Sequence, residues 1–109
     1  MLGERGGFGG APHVAFLFVA GDAGDAGARL AADVGIYTQT LLLAMTAYGL
    51  DSCPQGLLSF CADTVRGELG LDSGKLLVGI SFGYGDETAP VNHITPGRAT
   101  LDATTTFHP

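Results

Sequence analysis

Apolar side chains gather in three runs along this chain, parted by stretches rich in glycine, proline and acidic residues. His13 to Ala20 (HVAFLFVA) is short, partly β-branched and aromatic, and bounded by Pro12 and Gly21. That pattern predicts a strand covered on both faces. The second run predicts a helix over Val34–Tyr48, with Asp33 as its N-cap and Gly49 where a glycine commonly ends helices. Val34, Tyr37, Leu41, Met45 and Tyr48 mark one face of it, while Ile36, Leu42, Leu43, Ala44 and Ala47 populate the rest. A helix apolar nearly all round must be covered on several sides. Leu76 to Tyr84 (LLVGISFGY) predicts a second strand.

The segments between these runs are of other kinds. Residues 1–12 form a glycine-rich leader, and Gly21 to Gly27 (GDAGDAG) a loop whose aspartates match no calcium-loop spacing. Leu50 to Gly56 has turn chemistry (Asp51, Ser52, Pro54, Gly56) and is expected to be a connector. A second helix is expected over Ala62–Leu69, closed by Gly70, with Leu58, Cys61, Val65 and Leu69 on one stripe. Residues 85–98 form a polar tail, and Thr100–Phe107 a final strand or a frayed helix; its three threonines favour extended chain. Two strands and one all-round apolar helix close neither a sheet nor a bundle. On this reading residues 1–109 are one partial domain.

Composition sharpens that expectation. With 109 residues, 46% hydrophobic and only 15% charged, the chain has more apolar surface than so short a polypeptide can bury by itself. A partner subunit or further sequence must supply the cover. The formal net charge is −6, and the five basic residues are scattered, which excludes an electrostatic footprint for nucleic acid or an anionic membrane. Thr38, Gln39 and Thr40 interrupt the longest apolar stretch, short of the roughly 18 residues of a membrane helix. No signal peptide is read at the start, and Cys53 and Cys61 make no disulfide scaffold. The expectation is a soluble, cytoplasmic chain.

Most catalytic readings fail on spacing. No G-x-S-x-G elbow surrounds Ser59, Ser73 or Ser81, the leader lacks the Gly-Lys-Ser/Thr ending of a P-loop, and the cysteines and histidines have no zinc-type spacing. Cys53 or Cys61 with His93 could make a thiol nucleophile and base, but lone cysteines in apolar surroundings are more often packing residues. Two features are less bland. In Ser52-Cys53-Pro54-Gln55-Gly56, proline and glycine let the backbone approach a flat ligand, with the N–H groups of Gln55 or Gly56 aimed outward. A plain helix-to-helix connection is the commoner use of such a segment. Arg98, in Thr95-Pro96-Gly97-Arg98, is the only basic residue after Lys75 and suits a phosphate; a surface ion pair is the commoner fate.

Taken in order, these segments resemble the C-terminal half of the nitroreductase family. The resemblance runs from Phe8-Gly9-Gly10-Ala11-Pro12-His13-Val14 through Asp33–Ala44 to Gly49-Leu50-Asp51-Ser52-Cys53-Pro54-Gln55-Gly56. It continues in Val65–Leu71, Gly79-Ile80-Ser81-Phe82-Gly83-Tyr84-Gly85-Asp86, Ala89–Asn92 and Arg98–Leu101. It implies an α+β fold, a sandwich of helices around a mixed or antiparallel sheet, incomplete without its N-terminal half. It also implies a homodimer, or pairing with the missing half, with FMN held at the subunit interface. Hydride would pass from NAD(P)H to flavin N5 and on to a nitroaromatic, quinone or related acceptor, with no obligatory side-chain acid or base. By the same resemblance the backbone of Pro54, Gln55 and Gly56 faces the flavin ring near N5, and Arg98 reaches the phosphate. No metal is implied. The family's N-terminal arginine-and-serine cluster has no counterpart here, and Thr95-Pro96-Gly97 holds no second basic residue. The alternative is therefore a truncated, catalytically silent fragment or subunit that only associates with another chain.

Overall fold

Strand pairing organises the chain in the computed structural model, which describes residues 10–20 and 27–109. Most of the expected leader and nearly all of the Gly21–Gly27 loop lie outside the described residues. Strand β1 spans His13–Val19, helix α1 Gly27–Ala47, strand β2 Asp51–Gln55, helix α2 Ala62–Leu69 and strand β3 Lys75–Gly83. A 3-10 turn, Gly56–Cys61, joins β2 to α2; a second, Pro90–His93, and a one-turn helix, α3 (Leu101–Thr104), follow β3. The sheet order is β1-β3-β2, antiparallel throughout, with an irregularity in β1 between Leu17 and Phe18. The expected α+β architecture is present, with an antiparallel sheet.

β3 lies in the middle because its run can be covered on both faces. Successive side chains alternate, so Leu76, Val78, Ile80 and Phe82 line one face and Gly79, Ser81 and Gly83 the other. Leu76, Ile80 and Ser81 are the most deeply buried side chains. The small-residue face lets neighbours approach closely: a Cβ at Gly79 would overlap Cδ1 of Leu58, and one at Gly83 would lie 2.8 Å from Cδ of Pro12. The register puts Asp51, Cys53 and Gln55 of β2 opposite Gly83, Ser81 and Gly79, on that same face.

Several boundaries differ from expectation. Leu50–Gly56 is not a plain connector, for Asp51–Gln55 pairs with β3 as an edge strand. A proline with no N–H is tolerated at an edge, and pairing to a long apolar neighbour overrides local turn chemistry. Asp33 does not cap α1. The helix starts at Gly27, because Ala28, Arg29, Leu30, Ala31 and Ala32 are all strong helix formers and carry it back two turns. Its end is as expected: Gly49 has φ +74°, its N–H donates to the Thr46 carbonyl (3.0 Å), and that of Leu50 donates to Met45 (2.9 Å). This is a Schellman stop. α2 and its Gly70 cap (φ +65°) also fall where the pattern put them. Beyond Thr100, a single helical turn precedes extended chain at Thr105, so the threonine run is helical in part.

α1 is the element the chain leaves bare. Leu30, Val34, Thr38, Leu41, Leu42 and Met45 face inward to varying degrees, and only Met45 is buried. Tyr37 and Tyr48 point out, and Tyr48 is 85% exposed; Ile36 and Leu43 are exposed as well. The hydroxyls of Thr38, Thr40 and Thr46 donate to the carbonyls of Val34, Ile36 and Leu42, which satisfies them within the helix. The Thr38-Gln39-Thr40 interruption therefore does not shorten the helix, which by length and composition could cross a bilayer; core helices of soluble proteins pass the same test. The radius of gyration, 16.6 Å, exceeds the roughly 13 Å of a globule this long. The cover that composition demanded is not supplied by the described residues.

Truncating the centre should be costly. Ile80→Ala is expected to lower unfolding free energy by about 2–5 kcal/mol, against a change within about 0.5 kcal/mol for Glu68→Ala on an exposed helix face. Urea unfolding monitored by circular dichroism measures both.

Candidate functional site

β2 ends where the sequence placed a ligand-facing backbone. Pro54 and Gly56 are exposed and Gln55 is half-buried. A Cβ at Gly56 would meet nothing within 4 Å, so the space in front of this peptide is open. Two hydrogen bonds fix the segment from behind. The Gln55 side-chain amide donates to Ser81 Oγ (3.3 Å), and the Ser59 hydroxyl donates to the Gly56 carbonyl (2.9 Å). Ser81 Oγ donates in turn to the Cys53 carbonyl (3.4 Å). Ser81 was passed over in the sequence for want of a nucleophile motif; the available signal was a hydroxyl within an otherwise apolar strand run.

No hydrogen bond joins Arg98 to that segment among the described residues. Its guanidinium donates to the backbone carbonyls of Gly97 (3.1 Å) and Pro96 (3.4 Å) and has no carboxylate partner among the described residues. The cation engaged in an ion pair is Arg66, with Asp63, and Arg66 also donates to the Gly74 carbonyl (2.8 Å). The charge of Arg98 thus remains available to an anion.

A groove of about 1090 Å³ opens at the opposite end of β2, between Pro12, Asp51, Tyr84, Asp86 and His93. It holds none of Pro54, Gln55, Gly56 or Arg98. Its rim is acidic. Asp51 accepts the Gly85 N–H (2.9 Å), and Asp86 accepts the Thr88 hydroxyl (2.6 Å) and N–H (2.9 Å). The hydroxyl and then the amide of Thr88 hold the Asp86 carboxyl below the usual carboxylate range. Carboxylates lining a groove repel phosphate, so this groove is a poor place for one. Cys53 is half-buried and Cys61 exposed, both as free thiols. Among the described residues no group of three or more His, Cys, Asp or Glu is placed to hold a metal.

The geometry is that of a sheet edge presenting backbone to open space, within a partial α+β layer. A family model described as the nitroreductase family matches residues 1–84, and the chain belongs to that family. It is 61% identical over 100 residues to the nitroreductase NfnB of Mycolicibacterium smegmatis, covering 92% of this chain and 42% of the relative. To the chloronitrobenzene nitroreductase of Comamonas testosteroni it is 39% identical over 74 residues, 67% of this chain and 33% of the relative. The crystal structure of the FMN-dependent NfnB from Mycobacterium smegmatis in complex with NADPH superposes with a TM-score of 0.86. At 61% identity it matches 94% of this chain and 45% of that one. NfnB from Sphigopyxis sp. strain HMH, FMN- and NADPH-dependent, gives a TM-score of 0.83 at 36% identity, over 94% of this chain and 45% of its own. The chain spans less than half the length of these relatives.

The rim supplies a titration test. Because the Asp86 carboxyl is held low, its stabilising contribution is present above the ordinary carboxylate range and is lost as pH falls through its lowered folded value. Thr88→Val removes the hydroxyl donor and should move the Asp86 pKa upward, toward the free carboxylate, in a carbon-13 NMR titration. An unchanged midpoint would show that the amide alone holds it.

Proposed function

We propose that this chain carries the ring-facing part, and one phosphate contact, of the flavin site of an NAD(P)H-dependent nitroreductase-type oxidoreductase. The observation that carries the reading is the Gln55–Gly56 peptide, fixed from behind and open in front, in a chain of this family. The fit to FMN is good for the ring and partial for the phosphate. A flat ring needs close backbone approach, and Gly56 has open space where a side chain would stand. A phosphate needs cations or N–H donors, and of the residues proposed for it this chain offers only Arg98. When bound, FMN supplies the redox chemistry, accepting hydride from NAD(P)H and passing it to a nitroaromatic, quinone or related acceptor. Pro54, Gln55 and Gly56 would position the ring by backbone contact, and Arg98 would neutralise phosphate charge.

The remaining donors and the cover for α1 would come from a second copy in a homodimer or from a separate N-terminal half. The bare face of α1, together with an 85% exposed Phe60 in the 3-10 turn, supports such an association. The same surface equally supports the second reading, a catalytically silent subunit that only associates.

Sedimentation tests the association common to both readings, and flavin binding separates them. Sedimentation at micromolar concentration should show an oligomer, and a monodisperse monomer would contradict burial of α1 between copies. Arg98→Ala should weaken FMN binding roughly ten- to a hundredfold, as for one lost charge-assisted bond of about 1.5–3 kcal/mol, and leave riboflavin unaffected. Equal FMN dissociation constants for both proteins would remove Arg98 from the site. Absence of flavin binding to either protein, including after addition of an N-terminal half, would leave the silent subunit.

A further inference from the structure

Among the described residues Ser81 is the buried polar side chain, 2% exposed, in the middle of the central strand. An alanine there would pack without desolvating a hydroxyl, so the serine has to be understood through its bonds. Both lead to β2. Its hydroxyl donates to the Cys53 carbonyl at 3.4 Å and accepts from the Gln55 side-chain amide at 3.3 Å. These partners flank Pro54, so the side-chain bridge ties the edge strand to β3 on both sides of the proline. Small neighbours make room for it, since Gly79 and Gly83 share its face of β3.

We infer that Ser81 is a positioning residue, acting through the Gln55 side chain to fix the Gln55–Gly56 peptide. The Gln55 amide is then directed inward to Ser81, and it is the backbone that faces outward. From the other side Ser59 holds the Gly56 carbonyl. The role toward a ligand rests on the flavin site proposed above; the clamp itself does not, and the two are tested by separate arms.

The first arm is the nitrogen-15 backbone order parameter of Gly56 in flavin-free protein, with Gly70 at the α2 cap as control. Ser81→Ala and Gln55→Met should each lower the Gly56 value, with Gly70 unchanged. Because Ser81→Ala also removes the bond to the Cys53 carbonyl, the double variant should match Ser81→Ala alone, with nothing added by Gln55→Met. An unchanged Gly56 value, an equal fall at Gly70, or additive effects would overturn the inference. Should Ser81→Ala fail to fold, Gln55→Met at the edge strand alone still decides it by the same two amides. The second arm is riboflavin affinity by fluorescence, which does not involve Arg98. A loss of several-fold, again non-additive, is expected. If the parent binds no riboflavin while the order-parameter results hold, the flavin site falls and the clamp stands.

Discussion

Among the described residues β3 is the one strand with a neighbour on each side; β1, β2 and the 3-10 turn lie directly against it, and α1 and α2 pack on β2 and on that turn. The two faces of β3 do different work. Leu76 and Ile80 belong to the large apolar face that gives the chain what core it has. Gly79, Ser81 and Gly83 form a shallow patch on the other face, on which Leu58 of the 3-10 turn and Pro12 can lie close. A larger side chain at Gly79 would have to displace the Leu58 side chain of the turn that begins at Gly56. Residue size on β3 thus sets how closely that turn packs on the sheet.

The second constraint is a deficit of cover. A sheet of this size with one helix against it leaves much of its apolar area in water, and 109 residues have a high ratio of surface to volume. The free energy of that exposure grows with area, so an external surface lying on α1 would be stabilised roughly in proportion to what it covers. Threonine hydroxyls folded back onto α1 help, because they remove polar groups that would otherwise resist burial. On this account the length of the chain and the bareness of α1 are one fact seen twice. The match to less than half of each relative agrees with it.

What could be read in the sequence divides along physical lines. Runs whose signal is local were legible: β1, α2 and β3 fall within a residue or so of expectation, as do the glycine stops at Gly49 and Gly70. The start of α1 was misplaced because Asp33 satisfies the local rule for a cap, whereas helix propensity summed over Ala28–Ala32 carried the helix through it. β2 was missed because its residues are poor strand formers, and only the long-range partner on β3 makes them one. Tyr37 and Tyr48 show the limit of such a pattern: periodicity finds an apolar stripe but cannot say which molecule covers it. Pro54, Gln55, Gly56 and Arg98 stood out by local chemistry and took their flavin roles from family resemblance, whereas the hydrogen bonds that hold Gln55 and Gly56 needed coordinates.

Charge gives the last step. The chain is acidic overall, and the rim of the groove by Pro12 concentrates that sign in Asp51, Asp86 and Glu87, at the end of β2 away from Gly56. An anionic ligand is disfavoured at that end by like charge, and the lowered pKa of Asp86 keeps its charge there down to acidic pH. At the other end the peptide is uncharged and open, which suits a neutral ring more than a phosphate. A ligand with a flat ring and an anionic tail could then be held by this chain at its ring, with the tail led away from the acidic rim toward cations. Arg98 can supply one of those cations, being unpaired among the described residues. The others would have to come from the same surface that covers α1, so that burial of the helix and completion of the anion site become a single event of association.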